Sequence, residues 1–209
     1  MSIDSDALAD RLTAATGGDP TGWLWPVLLR RLATGHPGSL DDLAQATGRH
    51  RDEVRNALAA LPDTEYDEHG RVVGHGLTLR ETPHRFTVAG RQLYTWCALD
   101  TLIFPTVLDQ PARVVSPTPG GGARVRLHVD PIAGVTALEP ATAVVSVLIP
   151  DRCDSVRAAF CDQVHFFATP TTAQDWLTDH PGGTVLTVAE ALELGRRLAQ
   201  DLTRGPGCC

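Results

Sequence analysis

Lysine is missing from this 209-residue chain: all 18 basic residues are arginine, set against 25 acidic ones, for a formal charge of −7. A nucleic-acid binder usually carries a basic excess on at least one face, so this balance counts against DNA or RNA as partner. No uninterrupted apolar run approaches the roughly 18 residues needed to cross a bilayer, so no membrane span is expected. The opening Met1-Ser2-Ile3-Asp4-Ser5-Asp6 lacks the basic-then-apolar order of a secretory signal, and a cytoplasmic address is expected. Cysteine is scarce and odd in number, five in all. In a compartment that keeps thiols reduced this excludes a disulfide framework and points instead to thiol or soft-metal chemistry. Internal repeats and long low-complexity segments are also absent. What remains, 43% hydrophobic and 21% charged residues, is ordinary for a globular chain of one domain or two small ones.

The first part reads as helical. Ile3, Leu8, Leu12 and Ala15 recur at helical spacing, as do Leu24, Val27, Leu28 and Leu32 around an early Pro26. After the Gly35-His36-Pro37-Gly38 break, Ser39 is a candidate N-cap for a helix from Leu40 that Gly48 ends. A second helix, Arg51 to Leu61, places Val54, Leu58 and Leu61 on one stripe. Two short helices about a glycine turn read as helix-turn-helix, and the segments around Glu68-His69-Gly70 read as a hairpin. That order is a winged helix. Its recognition segment, Arg49 to Arg55, also carries Asp52 and Glu53. Residues 1–80 hold 8 Arg against 12 acidic residues, a net of −4, so a structural use of the fold is favoured over DNA reading.

From Leu77 the pattern changes. Leu77, Leu79, Phe86 and Val88 suggest strands, and the apolar stretch Tyr94 to Val107 reads as a helix ending near Pro105. Val125, Leu127 and Val129 alternate with Arg126 and His128 as in a half-buried strand. Ala143 to Ile149 reads as a central strand and Val164 to Ala168 as another, with a loop at Pro117 to Gly122. Thr172 with Asp175, and Thr187 with Glu190, resemble N-caps ahead of closing helices. The expected fold is α+β: a winged-helix-like helical domain over 1–80 packed on a mixed sheet-and-helix part over 81–209, with a flexible tail at 204–209.

Three cysteines are candidates for chemistry: Cys97, Cys153 and Cys161. A helix over Cys97 and Asp100 sets thiol and carboxyl on one face at i, i+3. An ionised carboxylate in such apolar company needs a partner or a raised pKa, and a carboxyl poised that way serves as acid or base. The bland alternative is a small core cysteine and a capping aspartate. Cys161 and His165 have a spacing that suits zinc, with Cys97 and Asp100 completing four ligands, but the second close ligand pair of a structural zinc site is missing. Trp96, Leu99 and Phe104 are candidates either for a dry pocket wall or for plain core.

The run Leu93-Tyr94-Thr95-Trp96-Cys97-Ala98-Leu99-Asp100-Thr101-Leu102-Ile103-Phe104-Pro105, followed by Phe160-Cys161, Val164-His165-Phe166-Phe167-Ala168 and Ala173-Gln174-Asp175-Trp176, closely resembles the organomercurial (alkylmercury) lyase family, and the likeness extends to about Leu202. The resemblance implies a cytoplasmic bacterial detoxification enzyme that cleaves the carbon–mercury bond to a hydrocarbon and Hg(II). It places the two essential cysteines on Cys97 and Cys161 and the essential acid on Asp100, with the winged-helix-like part covering the core rather than reading DNA. Two departures stand out: Asp162 follows Cys161 where members often have a further cysteine, and a non-catalytic family cysteine is replaced near Ser116.

On this resemblance Asp100 shuttles a proton between a thiol and the leaving carbon. Product Hg(II) is held by Cys97 and Cys161 with Asp100 beside it. No organic cofactor or resident metal is needed, external thiols support turnover, and mercuric reductase is the expected recipient of Hg(II). The terminal Cys208-Cys209 pair resembles the paired terminal cysteines of that reductase and suggests a mercury relay by thiol exchange. Cys153 has no catalytic counterpart and is expected to be a packed thiol. The alternative is a mercury- or thiol-responsive winged-helix regulator sensing through Cys97 and Cys161.

Overall fold

Each early helix starts where local chemistry lets it. The computed structural model describes residues 5–16, 22–149 and 155–203. Its first helices are α1 (Ser5–Thr16) and α2 (Trp25–Ala33), the latter with Pro26 in the first turn, where a missing N–H costs nothing. Helix α3 (Leu40–Thr47) opens on a capping box: the Ser39 hydroxyl accepts the Asp42 N–H, and the Asp42 carboxylate accepts the Ser39 N–H, both at 3.1 Å. Gly48, at φ 65°, closes it, and α4 (Arg51–Ala60) buries Val54, Ala57 and Leu58. The expected helix-turn-helix is therefore present, and the hairpin of β1 (Glu65–Tyr66) and β2 (Val72–His75) is its wing.

The remaining elements in chain order are β3 (Leu77–Thr78), β4 (His84–Val88), β5 (Arg91–Thr95), α5 (Asp100–Leu108), β6 (Ala112–Pro117), β7 (Arg124–Asp130), β8 (Gly134–Glu139), β9 (Val144–Val147), α6 (Val156–Ala159), β10 (Phe166–Phe167), α7 (Gln174–Asp179), β11 (Thr184–Thr187) and α8 (Val188–Thr203). One antiparallel sheet has the order β1-β2-β3-β5-β4-β6-β7-β8 and so joins strands from both sides of residue 80. A second has the order β10-β9-β11, with the apolar strand at its centre as its composition implied. Val125, Leu127 and Val129 all point inward from β7, as the alternation required. The α+β architecture is as expected.

Three local readings need correction. Arg91–Thr95 is a strand, so the helix expected from Tyr94 begins only at Asp100. Thr95 pairs with both Leu77 and His84, and this two-sided strand pairing overrides an apolar run that also suits a helix. Pro105 does not end α5 but lies inside it. The hydrogen bond it forfeits is outweighed by burial of Leu102, Ile103, Phe104, Val107 and Leu108 in the core. Likewise Thr172 donates its hydroxyl to the Thr169 carbonyl at 2.8 Å instead of capping α7. The Thr187–Glu190 box does form, with Thr187 N–H donating to Glu190 at 2.8 Å and Glu190 N–H to Thr187 Oγ1 at 3.2 Å.

The core centres on α5, which lies against α2 and α8. Phe104 meets Trp25 and Phe86 edge-on, with ring centroids 5.9 and 6.2 Å apart. Gly195 lets α8 approach closely, since a Cβ there would sit 3.3 Å from Ile103 Cγ1. Among the described residues no helix is long and apolar enough to cross a membrane.

Candidate active site

Cys97 sits in the tight connection between β5 and α5, not on the helix itself. The connection is pinned on both sides. Trp96 N–H donates to the Gly76 carbonyl at 2.9 Å, and Ala98 N–H to the Val164 carbonyl at 3.1 Å. The Thr95 hydroxyl reaches the Cys97 carbonyl at 2.9 Å, and Cys97 N–H donates to the Asp100 carboxylate at 3.0 Å. Asp100 thus occupies the first turn of α5, where the positive end of the helix dipole favours its charge. Sequence spacing brought thiol and carboxyl together correctly, although a capping turn rather than a helix face does it.

Cys161 opens a 3₁₀ turn, Cys161–Gln163, just after α6. Ser146 on β9 secures the far side of that turn: its hydroxyl donates to the Gln163 carbonyl and accepts the His165 N–H, each at 2.9 Å. Because Val164 also receives the Ala98 N–H, the two cysteine-bearing segments are joined by a backbone hydrogen bond.

The potential ligand atoms of Cys97, Asp100 and Cys161 all lie within 4.8 Å of one another. Both thiols are free and buried, at 0% and 4% exposure. Asp100 lies deep among protein atoms, although the residue as a whole is only partly buried. Burial raises the Asp100 pKa to about 6, overcoming its hydrogen bonds from Cys97. Burial, the hydrogen bond to Cys161 and the Asp100 charge push the Cys97 thiol well above its ordinary range. For Cys161 the hydrogen bond with Cys97 works downward, but burial and the charges of Asp100, Asp162 and Asp63 outweigh it and leave the thiol raised. These directions favour two neutral thiols beside a largely ionised carboxylate at neutral pH.

Other candidates fall elsewhere. His165 is not in the cluster; its ring packs edge-on against Phe167 at 6.4 Å. Cys153, Cys208 and Cys209 lie outside the described residues. Trp96 is buried beside Cys97, and Phe104 and Leu99 are fully buried core. Sequence reasoning missed a polar group behind the cysteines: Asp63, Glu65 and Arg157. Asp63 accepts Ser155 Oγ–H at 2.7 Å and Arg157 N–H at 3.1 Å, capping α6 from the wing. An acidic pair at the start of a hairpin carries no signal of such a distant partner.

A pair of buried soft-metal ligands with one raised carboxyl, carried on a helix-turn-helix unit joined to an α+β sheet, defines a thiol-dependent enzyme class. Comparison with known proteins specifies it. Residues 77–200 match the family model of alkylmercury lyase, and residues 5–76 match the helix-turn-helix domain of alkylmercury lyase. The chain is 55% identical to an alkylmercury lyase of Streptomyces lividans over the full length of both. It is 48% identical to one of Bacillus cereus, covering 92% of this chain and 90% of that one. It is 44% identical to one of Pseudomonas putida, covering 96% and 94%. A crystal structure described as the mercury-bound form of MerB2 shares the fold, with a TM-score of 0.78 at 22% identity over 96% of this chain and all of that one. The chain belongs to the alkylmercury lyase family and is an enzyme of that type.

Proposed function

We propose that this enzyme protonolyses the carbon–mercury bond of organomercurials through Cys97, Cys161 and Asp100. The observation that carries the reading is the convergence of two thiols and one acid within 4.8 Å. Mercury is soft and prefers thiolate ligands. One protein thiol gives its proton to the departing external thiolate and takes its place on the alkylmercury cation, releasing the external thiol and leaving a stable linear adduct. The second thiol passes its proton to Asp100 and binds, making the metal electron-rich and weakening its bond to carbon. Asp100 then delivers that proton to carbon as the bonding pair stays with carbon. The products are a hydrocarbon and Hg(II) held by two thiolates, with Asp100 beside it.

The reading needs no organic cofactor or resident metal. External thiols remove Hg(II), with mercuric reductase as the recipient and the Cys208-Cys209 tail as a relay. A reducing, cytoplasmic setting fits two thiols that must stay free. A DNA-binding regulator is disfavoured by the pairing of recognition-segment arginines with acids: Arg51 with Asp41 at 2.7 Å, Arg49 with Glu53 at 3.9 Å, and Arg55 with Asp52. Headspace detection of methane from methylmercury with excess small thiol tests the reading. Cys97→Ser, Cys161→Ser and Asp100→Asn are each expected to lower release by about 10²-fold or more. Full turnover by Asp100→Asn overturns the shuttle, and a promoter gel shift without hydrocarbon release favours the regulator.

A further inference from the structure

We infer that Glu65, on the wing strand of the helix-turn-helix unit, is a positioning residue that sets the two mercury-binding sulfurs at chelating distance. Glu65 is 8% exposed, and its carboxylate holds groups from three segments at once. Oε1 accepts the Trp96 indole N–H at 3.1 Å, one residue before Cys97. The same oxygen receives Arg157 Nη1, four residues before Cys161, and Oε2 accepts the Thr78 hydroxyl at 2.5 Å. One buried anion therefore ties both cysteine-bearing segments to β3. The Arg157 guanidinium also lies over the Trp96 ring, 5.1 Å from its centroid, which closes the loop of contacts.

A second, independent feature shows that the fold reserves space for this carboxylate. Gly74 is the strand partner of Glu65, and a Cβ there would overlap Glu65 Oε2 and fall 2.6 Å from Thr78 Oγ1 and 2.7 Å from Thr78 Cβ. Asp63, two residues earlier, adds a parallel tie by capping α6. The wing, whose place in a DNA reader is beside the duplex, here holds the thiol geometry together. Capture of an alkylmercury by one thiol does not depend on that geometry, whereas closure of the second thiolate does.

This inference rests on the two-thiolate reading, and its test keeps the two separable. Wild-type protein, Glu65→Gln, Gly74→Ala, Arg157→Gln and the Glu65→Gln/Arg157→Gln double variant are compared for methane release and for retention of inorganic Hg(II) against graded external thiol. Glu65→Gln keeps shape but loses charge, and all assays run well below each variant's melting midpoint. Expected for Glu65→Gln is a kcat at least 10-fold lower with KM within twofold, and Hg(II) released at correspondingly lower thiol concentration. Gly74→Ala should reproduce this, and the double variant should be no worse than the poorer single. Glu65→Gln with wild-type kcat and Hg(II) retention overturns the positioning role, as does a kcat loss that leaves Hg(II) retention unchanged. Wild-type protein that releases no methane sinks the underlying reading, whatever Glu65 does.

Discussion

Asp100 is the residue on which the proposed chemistry turns, because its carboxyl titrates between the ordinary carboxylate range and neutrality. With a pKa of about 6 it is mostly ionised at pH 7.5, the form in which the proposed shuttle has it accept a thiol proton before passing it to carbon. The rate is therefore expected to rise with pH through about 6, followed as initial hydrocarbon release across pH 5–8; a flat profile there contradicts the role. The same shift has a cost in stability. A carboxyl whose folded pKa lies above the unfolded value of 3.8 favours folding while protonated, and that advantage is lost as pH rises through about 6. Asp100→Asn removes the buried charge, so at pH 7.5 it should be as stable as wild type or more so, by up to about 3 kcal/mol. Urea denaturation at pH 7.5 and at pH 4.5 measures this, with the gap narrowing at the lower pH.

At the scale of elements, the site is made by turns rather than by long helices or strands. Gly76 shows how tightly one of them is drawn: its φ is 75°, its carbonyl receives the Trp96 N–H, and an added Cβ would meet Phe104 Cζ at 2.8 Å. Gly76→Ala should cost about 2–4 kcal/mol from left-handed backbone strain plus overpacking, read as a lower denaturation midpoint. Capping signals were legible in the sequence, at Ser39 and at Thr187 with Glu190, because a cap and its partner lie within three residues and need nothing else. The Tyr94–Thr95 stretch was not legible as strand. Its apolar character suits helix and buried strand equally, and only its neighbours β3 and β4 decide. Pro105 misled for a related reason: a proline ends a helix on local grounds, but not one whose flanks are buried on nearly all sides.

For the molecule as a whole, the helix-turn-helix unit is part of the architecture that surrounds the cysteine cluster. Its wing supplies two strands of the eight-stranded sheet, Trp25 packs on Phe104, and Asp63 and Glu65 reach the Cys161 segment. A chain cut to residues 81–209 would leave the β5 edge unpaired and the Phe104 side of the core uncovered. It is expected to aggregate or melt without cooperativity in calorimetry, whereas a soluble fragment with a sharp transition would show that the second part folds alone. The acidic balance of residues 1–80 fits this use, since a surface that turns inward to hold Arg157 and cap α6 has no need of a phosphate-binding excess of arginine.

The order of residues alone determined the caps at Ser39 and Thr187, the alternating strand of Val125, Leu127 and Val129, and the nearness of Cys97 to Asp100, all of which depend on neighbours within a few positions. Only the tertiary structure decided that Cys161, 64 residues beyond Cys97 by their numbers, shares one cluster with them, and that Glu65 stands behind both. Contacts of that span arise when strands pair and buried groups find partners across the core. No local pattern records where a distant hydrogen bond or sulfur will arrive.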